Sequence, residues 1–205
     1  MTERFLCTKS PDDSYALNNT VAVSPNDFPE AISQGKVHLN IRIPENPAAS
    51  YYNFCAVADR KIHPGQMGFA GHQRKWCRLG LNNEIQATKL NPNRIPNASV
   101  INIELNFLKA ADGNKHGETT FNSDQMAIKF NETFNSQIFN KNQPFVFQFE
   151  KINFSAQIKS IQAYDVSSTS RTKNLRISDV SSKDENYGIV GSNTSLSFQA
   201  SESSP

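Results

Sequence analysis

The sequence of 205 residues predicts a mainly β fold in two parts: a small closed barrel over residues 1–96 and an α+β unit over residues 97–199. Before the boundary, short apolar strands recur at roughly regular spacing, which is typical of a small barrel. The boundary, residues 91–97, contains two prolines and three asparagines, a composition that breaks regular structure. After it come a strand, a helix and two further strands, the order of an α+β unit.

The barrel strands are predicted from apolar or alternating stretches that are separated by turn residues. The clearest stretch is 37–43, where apolar and polar side chains alternate as a half-buried strand requires. The predicted strands of this part are 4–9, 15–17, 21–23, 37–43, 51–58, 74–81 and 84–90.

Residues 64–76 form the stretch around which this barrel is predicted to be organised. Pro64-Gly65 is a turn signal, because proline fixes φ and glycine accepts the positive φ that follows. Gly68 and Gly71 are expected where the backbone bends or lies close to another strand. Trp76, the single tryptophan, is expected in the core. The stretch therefore predicts a tight turn beside a core tryptophan, and its rim is also a candidate docking surface.

The α+β unit is predicted from hydrophobic periodicity. Alternation over 101–107 predicts a long amphipathic strand. Asn122 is a candidate helix cap with Gln125 as its reciprocal partner. Residues 145–149 and 152–158 alternate and predict a hairpin or a bent strand. One apolar stripe recurs every four residues and is assigned to the core: Met126, Phe130, Phe134 and Ile138.

The C-terminal part is poor in apolar residues. Residues 166–186 are rich in Ser, Thr, Lys and Asp and are predicted to be mobile or partly disordered. Residues 188–190 and 196–198 are expected to supply a last strand pair. Residues 200–205 have the composition of the start of a linker.

Composition and charge narrow the function classes. The formal net charge is +2, which argues against nucleic-acid binding by the whole surface. The three cysteines, Cys7, Cys55 and Cys77, have no C-x-x-C spacing and are predicted to be buried free thiols in a reducing compartment. The chain begins without the apolar core of a secretion signal, and no run approaches the ~18 apolar residues of a membrane span. A cytoplasmic chain without direct membrane insertion is expected.

The sequence contains no recognisable catalytic, cofactor or metal motif. The phosphate-loop pattern G-x-x-x-x-G-K-[ST] and the nucleophile pattern G-x-S-x-G are both missing. The glycines of 65–71 do not make the dinucleotide fingerprint, and no helix is predicted after them. The histidines lack ligand spacing. We therefore expect a chain that is not an enzyme and holds neither a cofactor nor a metal ion.

Positive charge is more concentrated than the net charge suggests. The cations Arg60-Lys61, Arg74-Lys75 and Arg78 fall within 19 residues, with Lys9, Lys109 and Lys115 as candidates to join them in space. Arg74 and Lys75 would lie at the rim of the core beside Trp76. Charge alone leaves two interpretations open: an ordinary solvated surface, or a patch for an acidic partner.

Several motifs occur in one order over residues 9–165. They are Ser14-Tyr15-Ala16-Leu17, Val21-Ala22-Val23-Ser24-Pro25-Asn26-Asp27-Phe28-Pro29, Gln73-Arg74-Lys75-Trp76, Leu79-x-Leu81-Asn82-x-Glu84-Ile85, Asn106-Phe107-Leu108, Asp124-x-Met126-Ala127-x-x-Phe130 and Ser136-Gln137-Ile138-Phe139. Together they resemble the N-terminal domain of the N-ethylmaleimide-sensitive fusion factor family, its fungal members above all. The resemblance implies a double-psi β-barrel subdomain followed by an α/β roll subdomain.

The resemblance also implies a role in vesicle transport. In that family the N domain precedes two ATPase domains in a hexameric chain and docks the SNAP adaptor bound to SNARE complexes, which ATP hydrolysis then separates. ATP and Mg²⁺ would bind the ATPase domains, which lie outside this sequence. The expectation is a monomeric fragment of a homohexameric parent, recruited to membranes peripherally through the adaptor.

The same resemblance implies docking residues. Lys9 and Arg74 match basic positions of the family's adaptor patch. Where relatives can carry a lysine pair, this chain has Ala110 and Ala111, and Lys109 is the expected substitute. The complete predicted partner-binding set is Lys9, Arg74, Lys75, Arg78, Gly80, Asn83 and Lys109, in which Gly80 and Asn83 match neighbouring polar contact positions.

Two other function classes stay open at this point. Double-psi barrels also occur in decarboxylases and molybdenum enzymes, so an enzyme is one alternative. The other is the N domain of a ubiquitin-segregase ATPase, because that related hexamer has a similar N domain. A pull-down that compares SNAP with ubiquitin-fusion adaptors would separate this alternative from a SNAP-docking domain.

Overall fold

The computed structural model describes residues 2–45, 51–116, 119–164 and 182–201. In these ranges a closed six-stranded barrel is followed by a second, mixed sheet with helices. This architecture confirms the predicted fold class. None of the helices within the described ranges has the length and apolar composition that a membrane span requires.

The barrel is built from both parallel and antiparallel pairs. Around the closed barrel the strands follow the order β1-β5-β2-β4-β3-β6, defined below, with β1–β5 and β2–β4 parallel and the other pairs antiparallel. Large apolar side chains, among them Leu39, Phe54 and Met67, point inward and are fully buried. The strands are β1 (Thr2–Lys9), β2 (Thr20–Val23), β3 (Val37–Arg42), β4 (Tyr52–Ala58), β5 (Gln66–Phe69) and β6 (Glu84–Lys89).

Two stretches predicted as strands are helical. Residues 15–17 lie in α1 (Ser14–Leu17), where the carboxylate of Asp12 accepts a hydrogen bond from the Ser14 N–H at 2.9 Å and so starts a turn. Residues 74–77 lie in α3 (Gly71–Cys77), so a helix does follow the glycine stretch. The remaining short helices of this part are α2 (Glu30–Ser33) and the 3₁₀ turn Pro92–Arg94.

The start of α3 is fixed by one buried glutamine. Gln73 is fully buried, and its Oε1 accepts a hydrogen bond from the Ala70 N–H at 2.8 Å. Its Nε2 donates to the Thr20 carbonyl at 3.1 Å. Gln73 and Thr20 are far apart in sequence. The local apolar pattern of residues 74–81, which predicted a strand, could not indicate this contact.

The central stretch follows the prediction in part. Gly65 has φ of 77°, and the Gln66 N–H donates to the His63 carbonyl at 3.1 Å, which confirms the turn. Trp76 is only half-buried. Its ring packs edge-on against the rings of Tyr52 at 4.8 Å and Phe54 at 5.7 Å. Trp76 therefore lies against the edge of the core rather than inside it.

The second part contains one long mixed sheet and a small two-stranded one. Strand β10 pairs with β7 along most of its length, with β9 over its first half and with β11 over its last four residues, while β13 lies parallel to β7. The elements are β7 (Ala98–Phe107), α4 (Ala110–His116), α5 (Ser123–Phe134), β8 (Ile138–Asn140), β9 (Pro144–Phe149), β10 (Ile152–Tyr164), β11 (Ser182–Glu185), β12 (Tyr187–Ile189) and β13 (Ser195–Ala200).

The predicted helix and hairpin of this part are confirmed. The side chain of Asn122 caps α5 by accepting hydrogen bonds from the N–H groups of Asp124 and Gln125 at 2.9 and 3.1 Å. The first three residues of the predicted stripe are buried on α5, but Ile138 belongs to β8 because the helix ends at Phe134. Strands β9 and β10 form the hairpin.

The C-terminal expectations need correction. Residues 182–185, predicted to be mobile, form β11 and pair with β10; residues 166–181 lie outside the described residues. Strands form at both places where the last strand pair was predicted, but they do not pair with each other: β12 pairs with β8, and β13 pairs with β7. Strand β13 continues to Ala200, where the linker was predicted to begin; residues 202–205 lie outside the described residues.

Buried amides join the barrel to the second part of the molecule. The Asn140 side chain pairs with the backbone of Asn53 on β4: its Oδ1 accepts from the Asn53 N–H at 3.0 Å, and its Nδ2 donates to the Asn53 carbonyl at 2.8 Å. The Gln137 Nε2 donates to the Asn18 carbonyl at 2.7 Å. All three cysteines are buried and free, as predicted.

Candidate functional site

The predicted docking cations of the barrel lie near the C-terminal end of β1 and along α3. We call Lys9, Arg74, Lys75 and Arg78 the basic patch. Lys9 is the last residue of β1 and is exposed. Arg74 lies close enough to Cys7 for its charge to act on that thiol. The patch therefore joins residues that are more than sixty positions apart in sequence.

A close approach between strands places Lys9 beside the start of α3. In the parallel pair of β1 and β5, Lys9 lies opposite Phe69, and α3 begins two residues later. A Cβ at Gly68 would lie 3.0 Å from the Lys9 carbonyl oxygen and 2.9 Å from Ile62 Cδ1. Only glycine allows this spacing without displacement of a neighbour.

The end of α3 turns Arg78 outward. Arg78 adopts a left-handed conformation with φ of 56°, and the Leu79 N–H donates to the Arg74 carbonyl at 2.8 Å. This is the helix-ending arrangement that usually uses glycine. Leu79 is buried, whereas Lys75 and Arg78 are exposed. The buried leucine thus anchors the chain while the cations on either side stay in solvent.

Residues 80–83 form a tight loop against β1. The Gly80 N–H donates to Asn83 Oδ1 at 2.6 Å. The Cys7 N–H donates to the Asn83 carbonyl at 2.9 Å, and the Asn82 N–H donates to the Cys7 carbonyl at 2.8 Å. A Cβ at Gly80 would lie 2.7 Å from Asn83 Oδ1. The two predicted polar contact residues therefore shape one loop beside the basic patch.

The cations of the basic patch have no acidic partner within the described ranges. The nearby carboxylate of Glu45 accepts a hydrogen bond from Asn83 Nδ2 at 3.0 Å. Arg74 Nε is buried and has no hydrogen-bond partner among the described protein atoms. Burial raises the pKa of the Cys7 thiol to about 11, and the Arg74 charge opposes this effect. Cys7 is therefore a neutral neighbour, and the charge of Arg74 remains uncompensated.

Lys109 lies in the other part of the molecule. It follows β7 and is exposed, and its carbonyl accepts from the Asp112 and Gly113 N–H groups at 3.0 and 3.3 Å at the start of α4. Ala111 is exposed in α4. Hydrogen bonds hold the loop of residues 80–83 against β1. That Lys109 belongs to the same docking surface as the basic patch stays a prediction.

Two exposed leucines near the patch were missed by the sequence analysis. Leu6 and Leu81 are each 45% exposed. Leu6 lies on β1 between the buried Phe5 and Cys7, so the alternation of that strand already placed it outward. Leu81 lies in the loop that hydrogen-bonds to Cys7. These leucines add apolar surface beside the cations.

Across the described ranges, no three His, Cys, Asp or Glu side chains are grouped as metal ligands would be. What the site offers is a set of uncompensated cations, a loop with a fixed shape and two exposed apolar side chains. Such a surface suits a macromolecular partner that carries negative charge.

Comparison with protein-family models gives no match. Among curated proteins, the chain is 31% identical over 201 residues to the vesicular-fusion protein SEC18 of Saccharomyces cerevisiae, which covers 96% of this chain and 24% of that protein. It is 28% identical over 171 residues to the vesicle-fusing ATPase of Caenorhabditis elegans, covering 79% and 19%. It is 22% identical over 209 residues to SEC18 of Candida albicans, covering 100% and 24%. The chain thus spans about a quarter of the length of these relatives, or less.

Proposed function

Because this chain belongs to the SEC18/NSF family of vesicle-fusing ATPases, with homology over nearly its whole length to their N-terminal region, we propose that it is their adaptor-docking domain. Its partner would be the SNAP adaptor bound to SNARE complexes, as the family resemblance implies. The function of this domain is then to hold the substrate complex for disassembly in vesicle transport.

One observation carries the proposal: the basic patch has no acidic partner in the described part of the chain. Surface cations in a monomer are often balanced by nearby carboxylates, as Lys89 is by Glu30 at 2.6 Å in this chain. Uncompensated cations around a rigid loop raise the local positive potential. An acidic adaptor surface would be attracted over about one Debye length, ~8 Å at physiological salt.

The charges and the leucines would contribute differently to docking. Rim charges mainly speed association and fix orientation. Burial of apolar side chains such as Leu6 and Leu81 against the adaptor would slow dissociation of the complex. Lys109 is proposed as a further cationic contact, which requires the adaptor to reach from the barrel to the second sheet.

We propose in addition that this domain is not itself catalytic. ATP and Mg²⁺ would bind the remaining three quarters of the proteins that it resembles, which their names describe as ATPases or fusion proteins. Within such a protein the domain would transmit the position of the bound adaptor to the ATPase domains. Recruitment to membranes would then be peripheral, through the adaptor.

The proposal is tested by titration of purified SNAP–SNARE complex against Arg74→Ala and Arg74→Glu at two salt concentrations. Both variants should bind more weakly than the parent, and Arg74→Glu more weakly than Arg74→Ala, because reversal adds repulsion to loss. We expect a reduction of roughly tenfold for Arg74→Glu at low salt. The difference should shrink as salt rises.

The matched control is Arg94→Glu, which reverses an exposed arginine outside the basic patch. It has the same change of net charge, so it should bind like the parent if docking is local. Folded Arg74→Glu protein that binds as tightly as the parent at low salt would show that the adaptor docks elsewhere.

A further inference from the structure

A second surface feature lies on the seam between the barrel and the second part of the molecule. It is an open cleft of about 760 Å³, within the size range of binding sites for small molecules and short segments. Its described lining comes from β3, β4 and α3 on the barrel side, and from the β8–β9 turn and the start of β12 on the other. Aromatic side chains dominate its apolar part: Tyr51, Tyr52, Trp76 and Tyr187.

The back of the cleft is rigid. Asn40 Nδ2 donates to Asn53 Oδ1 at 2.8 Å, and Asn53 Nδ2 donates to Asn140 Oδ1 at 2.9 Å. Asn140 Nδ2 also donates to the buried Gln143 Oε1 at 2.8 Å. These amides satisfy one another, so a ligand would meet a preformed wall rather than a surface that must first be ordered.

The front of the cleft has unused hydrogen-bonding groups. Within the described part of the chain, no hydrogen-bond partner is found for the Trp76 indole N–H, the hydroxyls of Tyr52 and Tyr187, or the side-chain amides of Asn142 and Asn186. Donors and acceptors therefore alternate with flat aromatic faces along the cleft. This mixture matches a peptide backbone, whose N–H and C=O groups alternate with side chains.

The charge of the cleft is positive. Among the described lining residues, Lys141 is the charged side chain, and it is exposed. Arg78 stands nearby, because its charge acts on the Tyr52 hydroxyl. A ligand with carboxylates is therefore favoured over a neutral or cationic one.

We propose that this cleft binds an extended acidic peptide segment in which aliphatic side chains are flanked by carboxylates. The apolar side chains would pack on Trp76 and Tyr52, and the peptide backbone would pair with the free amides and hydroxyls. Lys141 would contact a flanking carboxylate. The site is distinct from the part of the basic patch at Arg74, since Arg74 and Trp76 are two residues apart on α3 and so project from opposite sides of the helix. Arg78 of the basic patch lies nearer to the cleft.

The chain carries its own probe for this site, because Trp76 is its single tryptophan and lines the cleft. The ligands are capped heptapeptides without aromatic residues, with leucine or proline at the centre and aspartate on both sides. The same peptides with lysine in place of aspartate are the charge-swapped set. Tryptophan emission is recorded as each peptide is added to the parent protein.

At least one aspartate peptide should change Trp76 emission in a saturable way, and its lysine counterpart should not. Lys141→Glu should weaken binding of the aspartate peptide by roughly five- to tenfold, whereas Lys151→Glu, at an exposed turn lysine outside the cleft, should leave it unchanged. Tyr51→Ala should also weaken binding. Its control is Tyr164→Ala, since both rings are exposed, at 62% and 42%.

Three results would overturn the proposal: no saturable change with any aspartate peptide, equal binding of the lysine peptides, or unchanged binding to folded Lys141→Glu and Tyr51→Ala proteins. Arg74→Glu separates this site from the proposed adaptor patch. It should bind the aspartate peptide like the parent while binding of SNAP–SNARE complex falls. Peptide binding lost in Arg74→Glu would place the peptide on the basic patch instead.

Discussion

At the scale of single residues, two glycines of the same stretch have opposite environments. A Cβ at Gly68 would contact the Lys9 carbonyl oxygen at 3.0 Å, Ile62 Cδ1 at 2.9 Å and Ala22 Cβ at 3.2 Å. A Cβ at Gly71 would have nothing within 4 Å. Gly68 is therefore required by the spacing of three barrel segments, whereas Gly71 leaves room for a side chain.

We expect Gly68→Ala to lower the free energy of unfolding by about 1–3 kcal/mol, the usual cost of overpacking a filled core. Gly71→Ala should raise it by up to about 1 kcal/mol, because alanine restricts the unfolded chain and favours the helix. Urea denaturation followed by circular dichroism measures both. Equal stability of the two variants would contradict the assigned strand spacing.

At the scale of elements, the side chain of Asn140 at the end of β8 makes hydrogen bonds to β4 that a neighbouring strand would otherwise make. Strand β2 accompanies β4 only from Cys55 onward, so the edge of β4 at Asn53 needs another partner. The Asn140 side chain supplies it with one acceptor and one donor. Asn140 is 6% exposed, so water cannot easily take over these bonds.

Asn140→Ala should therefore cost about 2–6 kcal/mol of unfolding free energy, since it leaves a buried N–H and a buried C=O of Asn53 unpaired at about 1–3 kcal/mol each. Hydrogen exchange should also become faster at the Asn53 amide. Asn153→Ala is the control, because that side chain makes an exposed hydrogen bond to Gln148 in the β9–β10 hairpin. Unchanged Asn53 exchange in Asn140→Ala would show that the seam does not depend on this amide.

The sequence identified those elements whose signals are local. Alternation located β3 and the β9–β10 hairpin, and Asn122 located the start of α5. The sequence pattern did not predict α3, because the start of this helix is fixed by the long-range hydrogen bond from Gln73 to Thr20. For the same reason Trp76 was expected in the core, although its helix holds it at the edge.

The two candidate sites differ in how much the sequence could indicate. The cations of the basic patch include three on or next to one helix, so their charge was readable from the chain. The cleft could not be predicted from the sequence, because its lining residues come from separate segments that meet only when β8 packs against β4. Its asparagines are also common residues in this sequence, and only their geometry distinguishes them.

At the scale of the whole molecule, α3 links the two surfaces. It carries Arg74 of the basic patch on one side and Trp76 on the other, and it packs against β9 of the second sheet as well as the barrel. A change in how the two sheets sit together would therefore move both surfaces at once. The buried amides at Asn53 and Asn140 oppose such a change.

The stability of the whole fold should also depend on pH through His72 of α3. Burial lowers the pKa of His72 to about 4, below the ordinary value near 6.5, and its Nε2 has no hydrogen-bond partner among the described atoms. The unfolded chain therefore binds this proton first. Stability is fully present above about pH 6.5 and is lost as pH falls toward 4. Burial shifts the pKa of His38 in the same direction.

We expect the free energy of unfolding to fall across this window, with His72 contributing a slope of at most about 1.4 kcal/mol per pH unit. His72→Gln cannot take up a proton, so its stability should depend less steeply on pH than that of the parent. His63→Gln, which changes an exposed histidine, should retain the parent's slope. Carboxylates with lowered pKa values, such as those of Asp12 and Glu30, lose their stabilising effect as pH falls through and below their ordinary pKa values of about 4. They therefore act mainly at the acid end of the window, and they do so equally in the parent and in both histidine variants. Urea titrations at several pH values measure the slopes, and equal slopes for His72→Gln and the parent would show that His72 is not held neutral by the fold.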